Sequence, residues 1–494
     1  MYYIGVDLGT SAVKLILMAE DGSLRNIQSC EYPLFFPENG WSEQNPADWW
    51  NAVVKGIHKL CLDISPDQVA GISFGGQMHG LVALDASDQV IRPAILWNDG
   101  RTEEETRYLN EEIGTDKLAE YTGNIAFAGF TAPKLLWMQK HEPELFARIR
   151  KIMLPKDYLC YRMTGVHATD YSDAAGTLLL DVKNKCWSQK MLDLCHIRKG
   201  QMPALYESYE VVGTLLPDTA RELGLSPHCK VMAGASDNAA AAIGTGTVGD
   251  GTCNISLGTS GTIFIPSTRF HQVTGHALHS FNHADGSYHL MGCILSAASC
   301  NKWWMENILN TDDFGAQQKP ITELGKNTVY FLPYLMGERS PHNDPQARGA
   351  FLGLSLDTPR HQLTQAVFEG VAFALQDCYQ LALEQGIRVE QTSICGGGAK
   401  SPLWRKIVAN ILDLPVVRPV CEEGPGFGAA ILSTVGCGQY ASVKDAVNDL
   451  VHFQTKEEPD PSLVALYREK YENFKEFYPC LLYTSPSPRD RQKS

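Results

Sequence analysis

One short phrase occurs twice in this chain, about half its length apart, and it restricts the architecture severely. Leu8-Gly9-Thr10-Ser11 lies between the apolar runs Tyr2 to Val6 and Val13 to Met18. Leu257-Gly258-Thr259-Ser260 lies between Cys253 to Ile255 and Thr262 to Ile265. Each copy reads as strand, tight bend, strand. A repeat at this separation implies two similar lobes, not a short-period solenoid. The first hairpin is extended by Asp21-Gly22, a pair suited to a hairpin turn.

Strand-like and helix-like segments alternate through both halves, which predicts mixed α/β lobes. Val69 to Phe74 reads as a buried strand ending in Gly75-Gly76. A helix starts near Asn45-Pro46-Ala47-Asp48, where Asn45 can cap, Pro46 suits the first turn and Asp48 suits the positive end. Val231 to Ala233 enters Gly234, and Ala239 to Ile243 reads as a helix. Gln362 to Leu383 reads as one long helix; Thr392 to Cys395 enters three glycines, and Pro402 to Leu412 forms the next helix. The lobes are expected over 1–245 and 246–480, joined near the glycine-rich passage Gly244–Gly251, whose glycines could hinge or could simply pack. Residues 481–494 lack an amphipathic period and end in a polar, proline-bearing basic stretch; they read as a non-native tail outside the fold.

Size and composition narrow the function classes. At roughly 100–200 residues per domain, 494 residues give room for large cores. A formal net charge of −14 disfavours nucleic acid and anionic membranes as partners, since both would repel it. It leaves phosphate ligands open, because backbone N–H groups and a metal can hold them locally. The fourteen cysteines are scattered without a C-x-x-C pair, so reduced thiols in a cytoplasmic protein are expected. No signal peptide is read at the N-terminus, and no apolar run approaches the ~18 residues of a membrane helix. A homodimer is left open.

The chemistry-bearing residues fall at junctions. A Gly-Thr-Ser turn directs N–H groups toward one point, and the hydroxyls of Thr10 and Ser11, or Thr259 and Ser260, add donors suited to phosphate oxygens. Neither turn is a Walker loop. The first copy carries Asp7 where the second has Ser256; a single carboxylate there suits a hydrated Mg²⁺, or it caps the turn. Lys14 either reaches a phosphate or is an exposed strand lysine. Gly396-Gly397-Gly398, between strand and helix, permits close approach of a nucleotide, although such joins are common in α/β proteins; Gly424 to Ala430 could form an adjoining wall. Asp237 stands at a strand–helix junction and is either an N-cap or the acceptor of a hydroxyl proton in phosphoryl transfer. Gly75-Gly76-Gln77-Met78-His79-Gly80 and Trp97-Asn98-Asp99-Gly100-Arg101 place polar groups beside glycines and an aromatic, as a sugar pocket would, although a single histidine is commonly structural.

From about Tyr3 to Pro479 the chain resembles the FGGY carbohydrate kinases. Gly129-Phe130-Thr131-Ala132-Pro133-Lys134-Leu135-Leu136-Trp137 is similar to one signature of that family, and Gly349 to Glu369 to the other. Gln77-Met78-His79-Gly80 resembles the motif of the D-xylulose-phosphorylating subgroup, and Phe331-Leu332-Pro333-Tyr334 running on to Gly337-Glu338-Arg339 is similar to it too. The resemblance implies two actin-like, ribonuclease-H-like lobes with an interlobe active-site cleft. It implies ATP with Mg²⁺ and a sugar, D-xylulose, as small-molecule partners. It assigns Asp237 as general base, Met78, His79, Asn238, Asn98 and Asp99 to the sugar, and Asp7 to Mg·ATP. Gly258-Thr259-Ser260 would meet the phosphates and Gly396-Gly397-Gly398 the adenosine end. The alternatives are a family member acting on another ketose or polyol (ribulose, gluconate, an alditol), or an actin-like ATPase without kinase activity.

Overall fold

The computed structural model describes residues 1–484 except 274 and 276. Two seven-stranded sheets organise it. In the first, Tyr2–Leu8 pairs antiparallel with Ala12–Ala19, which pairs antiparallel with Leu24–Glu31. On its other side Tyr2–Leu8 runs parallel to Val69–Gly76, which runs parallel to Lys230–Met232 and Ala235–Ser236. Val211–Thr214 closes the edge antiparallel to Lys230–Met232.

The second sheet repeats this plan. Gly251–Leu257 pairs antiparallel with Gly261–Ser267, and that strand with Tyr288–Ile294. Gly251–Leu257 runs parallel to Val389–Cys395, which runs parallel to Val416–Pro419; Phe453–Glu457 closes the edge antiparallel. His279–Asn282 is an added strand beyond Tyr288–Ile294. Three antiparallel strands followed by two parallel ones, in the same order twice, is the actin-like, ribonuclease-H-like arrangement that the doubled turn predicts. The continuous apolar runs explain it: the central strand of each sheet is buried on both faces.

Each sheet has its own core. In the first, Val6, Leu8, Leu15, Ile72 and Phe74 pack with Trp49, Val53 and Ile57 of the helix Pro46–Leu60. Asn45 precedes that helix as expected, but its side chain makes no capping bond; Pro46 supplies the fixed backbone of the first turn instead. In the second, Ile255, Ile263 and Ile394 pack against the long helix Arg360–Glu384 and against Trp404 of the helix Pro402–Leu412. The helix Pro461–Thr484 docks here through Tyr467, Tyr471 and Phe474, with Leu481 at its end. The tail expected to begin at 481 overlaps the end of this helix: 481–484 continue it, while 485–494 lie outside the described residues.

The lobes share an interdigitated joint. The helix Asp237–Gly244 crosses the helix Gly424–Cys437, which belongs to the second half of the sequence yet lies against the strands Tyr2–Leu8 and Val69–Gly76. A Cβ on Gly428 would stand 1.8 Å from the carbonyl oxygen of Ala240, one on Gly244 2.2 Å from that of Gly424, and one on Gly5 2.0 Å from that of Gly426. Glycine is required at these three positions because backbone meets backbone. Gly424 to Ala430 is thus mainly a buried helix; Gly424 and Pro425 line a cavity. In the passage between the lobes Gly244 packs, whereas Gly246, Gly249 and Gly251 have φ of 78°, 69° and 88°, which a side chain resists.

Candidate active site

Parallel strands bring the two sequence-distant carboxylates together. In register, Asp7, Gly75 and Ala235 lie in one row across three adjacent strands, so Asp7 and Asp237 emerge from the same edge of the first sheet. Gly75 and Gly76 keep that edge clear: a Cβ on Gly75 would reach 3.0 Å from the Ala240 Cβ, and one on Gly76 2.7 Å from the Lys156 Cβ. Asp237 is the first residue of its helix; Ser236 is the cap, its hydroxyl accepting from the Ala239 N–H. Asp237 therefore does not serve as the cap. One of its oxygens accepts from the Asn238 N–H at 2.7 Å.

Both carboxylates sit in surroundings that disfavour charge. Burial pushes Asp237 up to about 7, the Asn238 N–H partly offsets it, and the Asp7 charge adds to it. Burial likewise pushes Asp7 up to about 6, against the pull of Lys14. Lys14 pairs with Glu423 at 2.7 Å, joining the first hairpin to the start of the helix from the other half. It is neither a free phosphate ligand nor a bystander in this conformation.

The first Gly-Thr-Ser turn is braced from behind. Gln77 Nε2 donates to the Gly9 carbonyl at 3.2 Å, the Tyr32 hydroxyl donates to the same oxygen, and Gln44 Nε2 donates to the Thr10 carbonyl at 2.6 Å. The Thr10 hydroxyl accepts from Trp97 Nε1 at 2.9 Å. Ser11 is exposed. In the second turn the Thr259 and Gly258 carbonyls accept from the N–H groups of Ala297 and Ala298, while the Thr259 and Ser260 side chains are exposed. In the first turn the Gly9 N–H also donates inward, to the Ala12 carbonyl at 3.1 Å, and the Thr10 hydroxyl donates to Gln77 at 3.3 Å.

The three consecutive glycines divide into distinct tasks. Gly396 has φ 86° and a Cβ there would stand 2.7 Å from the Leu257 carbonyl; a Cβ on Gly398 would meet Leu257 and Trp404 at 2.8 Å. Those two seat the loop on the second turn. Gly397 alone faces open space. It lines two adjoining cavities. One, of 840 Å³, is walled by Gly258, Thr259, Asn301, Phe314, Gln318 and Trp404; the other, of 410 Å³, extends from Gly396 and Lys400 to Asp237 and Asn238. Gly397 and Lys400 line both, and the second has Asp237 in its wall.

On the other side of Asp237 lies a polar and aromatic cluster. Asn238 Nδ2 donates to Met78 Sδ at 3.7 Å. His79 has φ 68°, and its carbonyl is held by the Thr131 hydroxyl at 3.0 Å and Lys134 Nζ at 2.8 Å. Its Nδ1 lies 2.6 Å from the Gly176 carbonyl, so Nδ1 carries the proton and Nε2 is left as an acceptor. Burial and the Lys134 charge hold the ring well below the usual histidine range, hence neutral. Phe130 stacks on it at 4.5 Å. Asn98 is exposed on the neighbouring loop. Asp99 is buried with both oxygens engaged by Arg101 and the Ser42 N–H. Arg101 in turn stacks 3.7 Å from the centroid of Trp41 and pairs with Glu43.

Sequence reasoning missed what lies beneath. Lys156, fully buried, places Nζ 2.7 Å from Asp157, 2.9 Å from Asp170 and 3.7 Å from Asp173. The Ser172 hydroxyl donates to Asp170 and accepts from the Ser236 N–H, so this charge cluster supports the residue preceding Asp237. Burial pushes Asp173 well above the usual carboxylate range. Among the described residues no group of three or more His, Cys, Asp or Glu side chains forms a metal cage. No helix among them is long and apolar enough to cross a membrane.

Two lobes built on one repeated actin-like plan define the class of protein, and the chain belongs to the FGGY family of carbohydrate kinases: residues 2–244 match its N-terminal domain and 253–437 its C-terminal domain. The chain is similar to the xylulose kinase of Escherichia coli strain K12, 42% identical over 97% of this chain and 99% of that protein. Among solved structures it is similar to a xyloylose kinase from Brucella ovis, 39% identical with a TM-score of 0.92 over 98% of this chain and 100% of the other. A gluconate kinase from Lactobacillus acidophilus superposes with a TM-score of 0.93 at 27% identity, over 98% of each chain. Backbone shape alone therefore does not separate these substrates.

Proposed function

We propose that the protein transfers the γ-phosphoryl of ATP to the terminal hydroxyl of D-xylulose, giving D-xylulose 5-phosphate and ADP. The observation that carries this reading is the row Asp237-Asn238-Met78-His79, which continues the nucleotide-side cavity into a set of sugar-type contacts. Asp237 accepts the hydroxyl proton. Met78 supplies an apolar wall, His79 Nε2 accepts a sugar O–H and Asn238 donates to a sugar oxygen. Asn98 lies at the rim, and Asp99 acts from behind by fixing Arg101 and its loop. The 42% identity to a xylulose kinase favours this ketose over gluconate.

ATP occupies the path through the second lobe. Gly258, Thr259 and Ser260 meet its phosphates, with Thr10 and Ser11 opposite; the base lies in the larger cavity near Trp404 and Phe314. Lys14 can exchange Glu423 for a phosphate oxygen. Mg²⁺ bound with the nucleotide would neutralise phosphate charge, and one or two protein carboxylates would suffice to hold it. Asp7, buried and poorly neutralised, fits that requirement. Phosphoryl transfer then depends on alignment and charge stabilisation. Lobe closure about the joint near residues 245/246 excludes water.

ADP release measured across D-xylulose, ribulose, gluconate, xylitol and glycerol tests the assignment. D-xylulose is expected to give the highest kcat/KM; another sugar ranking first, or ATP turnover indifferent to every sugar, would reject it. The nucleotide path makes a separate prediction. Gly397→Val fills open space, so it should raise the KM for ATP about tenfold with the melting temperature unchanged. Thermal unfolding and ATP titration check both parts.

A further inference from the structure

Arg339 belongs to the second lobe yet faces the sugar cluster of the first. Its backbone is pinned: the buried Glu338 carboxylate accepts from the Arg339 N–H at 2.7 Å and the Leu295 N–H at 3.3 Å, and the Ser340 N–H donates to the Cys293 carbonyl at 3.0 Å. The preceding Gly337 has φ 81°, and a Cβ there would stand 2.7 Å from the Pro345 carbonyl oxygen. The backbone that carries this side chain is therefore fixed.

Its head lies 5.2 Å from the centroid of the Phe127 ring. Phe127 is 5.3 Å from Phe130, the ring that stacks on His79, and 5.1 Å from His279. After burial, the Arg339 charge is among the influences that keep both His79 and His279 neutral, so it is within electrostatic reach of each. Yet the guanidinium makes no hydrogen bond and no ion pair among the described residues. Arg92 and Arg101, by contrast, are each paired with carboxylates. The partly buried Arg339 guanidinium therefore keeps its N–H donors available to a ligand beside the aromatic cluster.

We propose that Arg339 is a substrate-binding residue that reaches from the second lobe to the carbonyl end of the ketose, the end remote from Asp237. This rests on the sugar-kinase reading above. An open-chain ketose carries its terminal hydroxyl and its carbonyl at opposite ends. Asp237 needs the first; a donor-only guanidinium complements the second, because a carbonyl oxygen only accepts. His79 Nε2, an acceptor, complements a neighbouring hydroxyl. Arg339 then discriminates a ketose from its alditol, and it ties sugar binding to approach of the second lobe.

The test uses the full chain with Arg339→Leu, which removes the guanidinium but leaves an apolar side chain, and Arg339→Lys. Wild type is assayed first. With Leu, the KM for D-xylulose should rise about ten- to hundredfold and the preference for D-xylulose over xylitol should fall about tenfold. The KM for ATP should stay within twofold and the melting temperature should not change; Lys should recover part of the preference. A xylulose KM and ketose preference within twofold of wild type would overturn the proposal while leaving the kinase reading intact. Equal rises in both KM values with a lower melting temperature would also overturn it, in favour of a packing role. Absence of any ketose-stimulated ADP release by wild type would overturn both readings together.

Discussion

Asp237→Asn should lower sugar-dependent kcat by about 10²–10⁴-fold while making the protein more stable. The loss follows from removing the proton acceptor without removing its shape. The gain follows from burial. Asp237 is raised to about 7 from an ordinary value of 3.8, so folding favours its protonated form. Its contribution to stability is therefore lost progressively as pH rises from the unfolded value through about 7, and an amide avoids that loss. With partial solvent access, the variant should be more stable than wild type by roughly 2 kcal/mol at pH 8, and by less at pH 5. Chemical denaturation at the two pH values reads the difference. The same titration predicts that wild-type kcat/KM falls on the acid side of about pH 7, where the base becomes protonated in the free enzyme.

Lys156→Met should be the most damaging single change outside the reacting groups. It removes the ammonium that neutralises Asp157, Asp170 and Asp173 at 2.7, 2.9 and 3.7 Å, all of them buried. Burial works against the Lys156 charge, but the three carboxylates outweigh it and hold the ammonium well above its usual range. Breaking such a cluster by deleting one partner costs about 3–5 kcal/mol. At roughly 2–4 °C per kcal/mol for a domain of this size, the melting temperature should drop on the order of 10 °C. Because the remaining carboxyls can protonate, the drop should be smaller at pH 5 than at pH 8. Asp173→Asn is the control: Asp173 is already biased toward its neutral form, so the amide should change stability by less than about 1 kcal/mol. A Lys156→Met protein melting within a degree or two of wild type would show that the cluster is not a charge balance.

Much of the scaffold was readable because it rests on local patterns. The hairpins around Gly9 and Gly258 need only alternating apolar residues and a tight bend, and their recurrence was enough to anticipate two lobes with the same strand order. The helix Pro402–Leu412 begins and ends where its proline and apolar period place it. Asp237 was visible because it interrupts a run of small residues at a junction.

What escaped detection depends on residues far apart. The sequence assigns no chemistry to Lys156 and Asp157; only the glycine edge at Gly76 and the acids around residue 170 make them an interior charge cluster. Lys14 could not be assigned because Glu423 lies in the other half of the sequence. Among Gly396, Gly397 and Gly398 the sequence shows equal glycines, and only the contacts with Leu257 and Trp404 distinguish packing from the one open position. Asp99 is assigned to the sugar by resemblance alone, and the pairing of its carboxylate with Arg101 is seen only in the structure.

A structure determined with D-xylulose and a non-hydrolysable Mg·ATP analogue tests the central claim most directly. The terminal hydroxyl of the ketose should lie about 2.6–3.2 Å from an Asp237 carboxylate oxygen, or one water away, with the γ-phosphorus on its opposite side. A closed complex in which that hydroxyl is hydrogen-bonded elsewhere, and Asp237 faces neither it nor a bridging water, would contradict the account.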